Sequence, residues 1–369
     1  MTIKIAQLAS YGINVGDNIT IHRIRRAIER MYDGDITWVN VNLGDFLDKR
    51  NKLQYCKNRF RKISEENDIL ILGGGGLIEA NSRLGTGQKV PINEEVLSLI
   101  DIPIIIFSVG INYFNRKAEL EKPAIEDLKK LFQKSVLKSV RNDGTYEICQ
   151  EMGLDNNLYE IPDPGLIFDA EEEIERKNTI TTGFLQPAWN TNPEILTGRG
   201  YTKRNLLLLN NVVKENNLTA IPHTPKDYEA AKYYGHDYKY PWTKEVFMGM
   251  ADYRNFLYIV DFYKNYDYSI PLRGHGQLIS IGINLPSIYL STQRKVRDFS
   301  LKNGFEDYDV SIFEDKWYDN LISKIQRLKN DPTYLNEWYS IRNRNRKEYH
   351  KKYNDFCSKA VEVIKNAKR

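Results

Sequence analysis

The sequence predicts an α/β protein of two Rossmann-like, doubly wound domains facing each other across a cleft. Apolar strand-like runs alternate with helical patterns, as in βαβ units. An acidic, polar stretch interrupts that rhythm near the middle. The chain has 369 residues, too many for one ordinary core and suited to two domains of roughly 150 to 180 residues.

In the first half the runs fall at 3–9, 36–41, 69–72, 104–109, 136–140 and 158–161. Unbroken runs such as "PIIIFSVG" indicate parallel strands covered on both faces, because a half-exposed strand alternates instead. These define an N-terminal domain over 1–170. "DAEEEIERKN" supplies a linker at 171–178. A second series, "TITTGFL", "LTAIP", "YSIPL" and "SIYL", with helices predicted at 201–215, 227–234 and 253–263, forms a C-terminal domain over 179–335. Residues 336–369 form a basic amphipathic helix.

Apolar residues make up 41% and charged residues 28%, and no apolar run approaches the roughly 18 residues of a membrane span. "MTIKIAQLAS" alternates like a first strand and lacks the apolar core of a secretory signal. Cys56, Cys149 and Cys357 are scattered, which argues against disulfides or structural zinc and favours a reducing cytoplasm.

The net charge of +4 is unevenly spread, since residues 340–369 hold ten Lys or Arg and three Asp or Glu. In that tail Tyr349, Tyr353, Phe356, Ala360 and Val363 share a helical stripe, with Lys351, Lys352, Lys359 and Lys365 mostly off it. Two readings stand: a terminal helix docked on the fold with a solvated basic face, or peripheral contact with an anionic membrane or lipid phosphate.

Ligands of open α/β sheets bind beyond the carboxyl ends of strands, so the turns there carry the functional argument. "YGINVGDNITIHRIRR" offers Gly12, Gly16, Asp17 and Asn18 before a helix bearing His22 and Arg23. "NDILILGGGGLIEAN" sets Gly73, Gly74, Gly75 and Gly76 after a strand. This run is either a backbone cradle for phosphate or carboxylate or a tight crossover packed on a neighbouring strand. It matches neither the dinucleotide fingerprint nor a Walker loop.

"VLKSVRNDGTYE" places Arg141 at a strand end, followed by Asn142, with Asp143 able to cap the next helix. Its fork suits a carboxylate or phosphate, or a local partner in Asp143 or Glu147. "SIPLRGHGQLISIG" sets Arg273 at a strand end and His275 in the first helical turn. That positive helix end disfavours imidazolium, and a bound anion favours it. His223, in "AIPHTPKD", is a secondary candidate, whereas His236 and His350 sit in polar surroundings. No His, Cys, Asp or Glu cluster has metal spacing, and no metal is expected.

In order, "NVGDNI", "DILILGGGGLI", "IPIIIFSVGIN", "SVRNDGTYE", "PDPGLIF" and "LRGHGQLISIGINLPSIYLSTQRKV" resemble the polysaccharide pyruvyl transferase family from Asn14 to Lys295. Asn142 and Tyr146 depart from the family pattern. The resemblance implies a GT-B-like fold and transfer of pyruvate from phosphoenolpyruvate to two hydroxyls of a sugar, giving a ketal and phosphate. It implies His275 as general acid or base, and Arg273 and Arg141 holding donor charge. Gly74, Gly75, Gly76, Asn142, Lys295 and Gln277 would complete the donor site.

His22 and Trp189 would meet the acceptor, a surface sugar or its lipid-linked precursor at the inner membrane face, and Asp17 and Asn18 would either meet it or order the first turn. Trp189, Tyr240 and Trp242 would either stack on sugar rings or pack. Phosphoenolpyruvate would be a co-substrate, and no cofactor or nucleic acid is implied. The rival is a GT-B glycosyltransferase with a nucleotide-sugar donor; the Glu306 to Glu314 spacing it would invoke does not open a helix in the usual way.

Overall fold

The computed structural model describes residues 2–47, 53–79, 92–112, 120–188, 203–233 and 238–367. They divide into two compact units, Met1–Tyr11, Thr20–Pro164 and Tyr349–Arg369 in one and Gly12–Ile19 and Gly165–Glu348 in the other. This differs from the boundaries expected above for Gly12–Ile19, for 165–178, which joins the second unit, and for the terminal helix. Gly12–Ile19 groups with the second unit because Val15 and Ile19 sit in its apolar cluster with Phe168, Phe184 and Ile279. The end of the terminal helix groups with the first.

The first unit comprises β1 (Ile3–Ala9), most of α1 (Val15–Met31), β2 (Ile36–Asn42), α2 (Gly44–Leu47), α3 (Leu53–Glu66), β3 (Ile69–Glu79), α4 (Glu94–Leu97), β4 (Ile104–Asn112), α5 (Lys122–Lys134), β5 (Leu137–Arg141), α6 (Thr145–Glu151) and β6 (Tyr159–Ile161). Its six strands are parallel, in the order β2-β1-β3-β4-β5-β6. Every residue of the central β4 is buried, which is why its sequence does not alternate. The edge strand β2 is mostly half-exposed. In α5, Ala124, Leu128, Leu131 and Phe132 form the buried stripe.

β3 departs from expectation. It continues through the four glycines to Glu79 instead of turning at Gly73. A Cβ on Gly73 would fall 2.3 Å from the Phe107 carbonyl oxygen of β4, and one on Gly76 would fall 2.3 Å from Asn112 Oδ1. Gly74 has φ +91 and faces Ile21. Close packing on β4 and one left-handed residue therefore account for glycine at these three positions.

The second unit comprises β7 (Gly183–Gln186), α7 (Lys203–Glu215), β8 (Thr219–Ala220), α8 (Pro225–Tyr233), α9 (Lys244–Met250), α10 (Leu257–Phe262), β9 (Tyr268–Pro271), α11 (Gly274–Gly282), β10 (Tyr289–Ser291), α12 (Arg294–Lys302), β11 (Asp309–Ser311), α13 (Trp317–Asn330) and the first part of α14 (Pro332–Asn366). The sheet β8-β7-β9 is parallel, and a bridge from Ser269 to Ser287 carries it on to the parallel pair β10-β11. Strand β11 and helix α9 had no counterpart in the sequence reading. Helix α11 is buried from Gly276 to Gly282, and Asn284 at φ +66 ends it.

The acidic stretch expected as a linker is fastened to the second unit. Glu173 pairs with Arg342 at 2.8 Å and with Arg346, and Ile174 N–H donates to the Ile283 carbonyl at 2.7 Å. Arg342 also donates to the carbonyls of Ile281 and Gly282, capping α11 from α14. Part of the tail's basic charge is thus structural.

The apolar stripe of α14 is buried in the first unit. Phe107 packs edge-on against Tyr353 and Phe356, with ring centroids 5.8 and 4.9 Å apart. Val363 is half-exposed, and Val361 and Ile364 take the last buried positions, as a 3.6-residue period dictates. Lys351, Lys352, Lys359 and Lys365 are exposed, interleaved with exposed Glu348, Asp355 and Glu362. No helix among the described residues is long and apolar enough to cross a membrane.

Candidate active site

In the second unit the chain order reverses between β7 and β9, the topological switch point at which open α/β sheets bind ligands. Gln186 and Pro187 leave β7 there, and Arg273 leaves β9 as the N-cap of α11. Gln186 is wholly buried, and its Oε1 accepts the Arg273 N–H at 3.0 Å. Gly276 permits this, since a Cβ on it would fall 2.4 Å from that oxygen.

The Arg273 side chain is gripped. Its Nε donates to the Pro187 carbonyl at 3.1 Å and its Nη2 to Thr224 Oγ1 at 3.3 Å and Asp227 Oδ1 at 2.5 Å. Asp227 also accepts the N–H groups of His223 and Thr224 on Oδ2, both at 2.9 Å, and so caps the start of α8.

His223 is wholly buried and bonds Tyr263 through Nε2. Burial, reinforced by the nearby charges of Arg273 and His275, pushes its proton affinity well below the ordinary histidine value, so the ring stays neutral. Burial also raises the Tyr263 hydroxyl, with Asp227 adding to it. His223 has a structural place beneath the site.

His275 is half-buried in the first turn of α11 and lies against Gly16 of α1. A Cβ on Gly16 would fall 2.4 Å from its Nδ1. The first turn is anchored beside it: Val15 N–H donates to the His223 carbonyl at 3.2 Å, and Asn18 Nδ2 donates to the carbonyls of Gly12 and Ala251 at 2.8 and 2.9 Å. Two motifs separated by some 250 residues of sequence therefore meet.

The other expected site residues divide between packed and half-buried places. Asn18 is wholly buried and ties the turn, leaving it no surface for a sugar. Asp17 is half-buried and accepts Asn14 Nδ2 at 2.8 Å. Gln277 is wholly buried, its amide donating to Ser300 Oγ at 2.7 Å beneath α11, away from solvent. Lys295 is half-buried in the opening turn of α12. Tyr240 packs on Tyr228 and Trp242 on Phe262, with centroids 4.4 and 4.6 Å apart, so both pack rather than stand free for stacking. Trp189 and His236 lie outside the described residues. Glu314 pairs with Arg297, and strand β11 separates it from Glu306.

In the first unit Arg141 ends β5. It is buried and pairs through Nε with buried Asp163 at 2.8 Å, not with Asp143 or Glu147. Its Nε also donates to the Ser108 carbonyl at 3.2 Å. Ser108 is buried at φ +48, where β4 carries a register irregularity against β5. Gly110 gives the Arg141 stem room, a Cβ there falling 2.9 Å from its Cδ. Asp143 accepts Thr145 Oγ1 at 2.6 Å beside α6, and Asn142 is buried next to Arg141. His22 is half-buried in α1 of this unit. Gly74 and Gly75 are buried inside β3 and Gly76 is half-buried, so no helix N-terminus opens at the run.

Asp227, Gln186 and the Asp163 partnership were not foreseen. Thr224 and Asp227 form a T-x-x-D helix start within "HTPKD", a readable signal for the cap. Gln186 and the left-handed Ser108 have none. Among the described residues no group of three or more His, Cys, Asp or Glu is placed to hold a metal ion.

The chain resembles a UDP-GlcNAc 2-epimerase of Methanocaldococcus jannaschii, solved with UDP-GlcNAc and UDP, at TM-score 0.51 and 12% identity, over 90% of this chain and 93% of that one. It resembles a Listeria monocytogenes structure of the UDP-N-acetylglucosamine 2-epimerase type at TM-score 0.50 and 11% identity, over 92% and 91%. Both are of GT-B type, and the likeness gives this chain that fold. No curated protein sequence matches it.

The model of one family spans residues 14–294, reaching from the turn that holds Gly16 past the turn that holds His275 and on to Arg294. On that match, over about three quarters of its length, the chain is a transferase belonging to the polysaccharide pyruvyl transferase family.

Proposed function

We propose that the protein moves pyruvate from phosphoenolpyruvate onto two hydroxyls of one sugar in a surface polysaccharide or its lipid-linked precursor. The observation that carries this reading is the packing of His275 against Gly16 beside the gripped Arg273, at the switch point of the second unit. Family membership supplies the reaction class.

A proton adds to the methylene carbon of the enol, and a sugar hydroxyl oxygen bonds to the adjacent carbon as it loses its own proton. The bond from that carbon to the phosphate oxygen then breaks. The second hydroxyl closes the ketal, and its proton leaves with phosphate. One hydroxyl proton balances the methyl group and the other balances the phosphate. His275 is the proposed proton carrier, and one side chain can serve successive steps.

Arg273 is proposed to hold developing negative charge on the donor, with Lys295 and the N-terminus of α11 on the same chemistry. Arg141 is proposed as a second donor-charge holder; its Nη2 is buried without a hydrogen-bond partner among the described residues. Asp17 and His22 remain proposed acceptor contacts. The reaction as written needs no cofactor beyond phosphoenolpyruvate. We place it at the cytoplasmic face of the membrane, with the exposed lysines of α14 attracting anionic lipid.

The test is phosphate release from phosphoenolpyruvate against a panel of free and lipid-linked sugars. Release that needs an acceptor, and that falls sharply in His275→Ala, is expected. Thermal stabilisation by a nucleotide sugar and not by phosphoenolpyruvate would overturn this reading in favour of glycosyl transfer.

A further inference from the structure

The geometry points to Asp227 as the positioning residue that aims the Arg273 guanidinium, which for the reaction rests on the pyruvyl-transfer reading and for the aim rests on the contacts alone. Asp227 is wholly buried, and its carboxylate is fixed before it meets the arginine. The His223 and Thr224 N–H groups hold Oδ2, both at 2.9 Å, at the opening of α8. Oδ1 is then presented to Arg273 Nη2 at 2.5 Å.

Thr224 Oγ1 on the same nitrogen, the Pro187 carbonyl on Nε and Gln186 on the backbone N–H complete the grip. These acceptors come from the ends of β7 and β8, chain segments that only the sheet brings together. With Nε and Nη2 occupied, Nη1 is the donor nitrogen left for a ligand, and the side chain keeps 26% of its surface exposed.

A free arginine side chain has much rotamer entropy to lose on ordering. At Arg273 that ordering is completed by the fold, before any ligand arrives. The carboxylate also neutralises the guanidinium, so the pair supplies direction more than net charge. Binding and turnover should therefore respond differently to Asp227.

Asp227→Asn keeps an oxygen for the backbone N–H groups of the cap. Its amide nitrogen, however, brings a donor against Arg273 Nη2, another donor, and the uncompensated guanidinium swings free. Phosphoenolpyruvate binding, measured by calorimetry, should hold or tighten a few-fold, while kcat for phosphate release falls about a hundredfold, the usual consequence of slight misplacement. In an Arg273→Gln background the same change should cost nothing more, because residues acting as one unit are not additive. An equal loss of kcat in both backgrounds would overturn the assignment.

Thr224→Val, which removes only the second acceptor on Nη2, provides the same cycle with the cap intact should Asp227→Asn not fold. A several-fold kcat loss, absent in the Arg273→Gln background, is expected; the same loss in both would sink the proposal. If the wild-type chain releases no phosphate from phosphoenolpyruvate, the functional reading fails, and the aim is decided by NMR. The Arg273 Nε–H signal should exchange slowly with water in the wild type and be lost in Asp227→Asn or Thr224→Val. A signal unchanged by the substitution would rule out positioning.

Discussion

The ring of His275 occupies the space that any side chain on Gly16 would need. A Cβ on that glycine falls 2.4 Å from Nδ1 and 2.5 Å from both Cβ and Cγ of the histidine. Gly16 is helical without positive φ, so alanine meets no backbone strain and gains roughly 0.5–1 kcal/mol of helix propensity. One of the clashing atoms is the histidine Cβ, so turning the ring cannot clear it and the opening of α11 must shift as well. Gly16→Ala should stay folded at a cost of about 1–3 kcal/mol from overpacking, offset in part by that propensity, and lose about a hundredfold in phosphate release. Full activity in a folded Gly16→Ala chain would show that the placement of His275 is immaterial.

The carboxyl of Asp309 should make stability depend on pH with an unusual sign. Burial pushes it up to about 6 against hydrogen bonds from Ser291 and Ser300. The folded state then holds its proton more tightly than the unfolded chain. Its contribution is fully present below pH 4 and is lost as pH rises through about 6. Asp309→Asn removes the effect, so variant minus wild-type unfolding free energy should grow by about 2–3 kcal/mol from below pH 4 to above pH 6. Denaturant titrations at both ends check this; a constant difference would refute it.

Arg141 and Asp163 form a buried ion pair in the first unit. Asp163→Ala leaves the guanidinium buried without its counter-charge, a loss of about 3–5 kcal/mol. A urea midpoint within error of wild type would show that water reaches Arg141 in place of the carboxylate.

The terminal helix should behave first as part of the core. Phe356 packs on Phe107 and Tyr159, so Phe356→Ala should destabilise the chain by about 3–5 kcal/mol. The buried stripe is committed to the fold, so the membrane contact proposed above would rest on the exposed charges. Lys351→Glu with Lys352→Glu should leave the melting temperature unchanged and abolish sedimentation with anionic vesicles. Unchanged sedimentation would remove the membrane role.

Much of the scaffold was legible because apolar periodicity is a local property. The runs at 3–9 and 104–109 became β1 and β4, and the stripe from Tyr349 to Ala360 became the buried face of α14. Element ends were less legible: β3 runs seven residues past its predicted end at Leu72, because glycine's fit against β4 is invisible without β4. Strand β11 is three residues long, and the acidic residues flanking it in the sequence hide its pattern.

The sequence by itself determined the alternation of strands and helices, the ordered motifs that mark the family, and the residue types available for chemistry at the strand ends. Only the tertiary structure decided their partners. Arg141 passes over Asp143 and Glu147 for Asp163, Arg273 is gripped by Asp227, and Gly16 makes room for His275. The physical reason is range. Periodicity and capping act within a few residues, whereas a charge pair or a steric fit forms between whichever groups the folded chain sets within about 3 Å, whatever their separation along the chain.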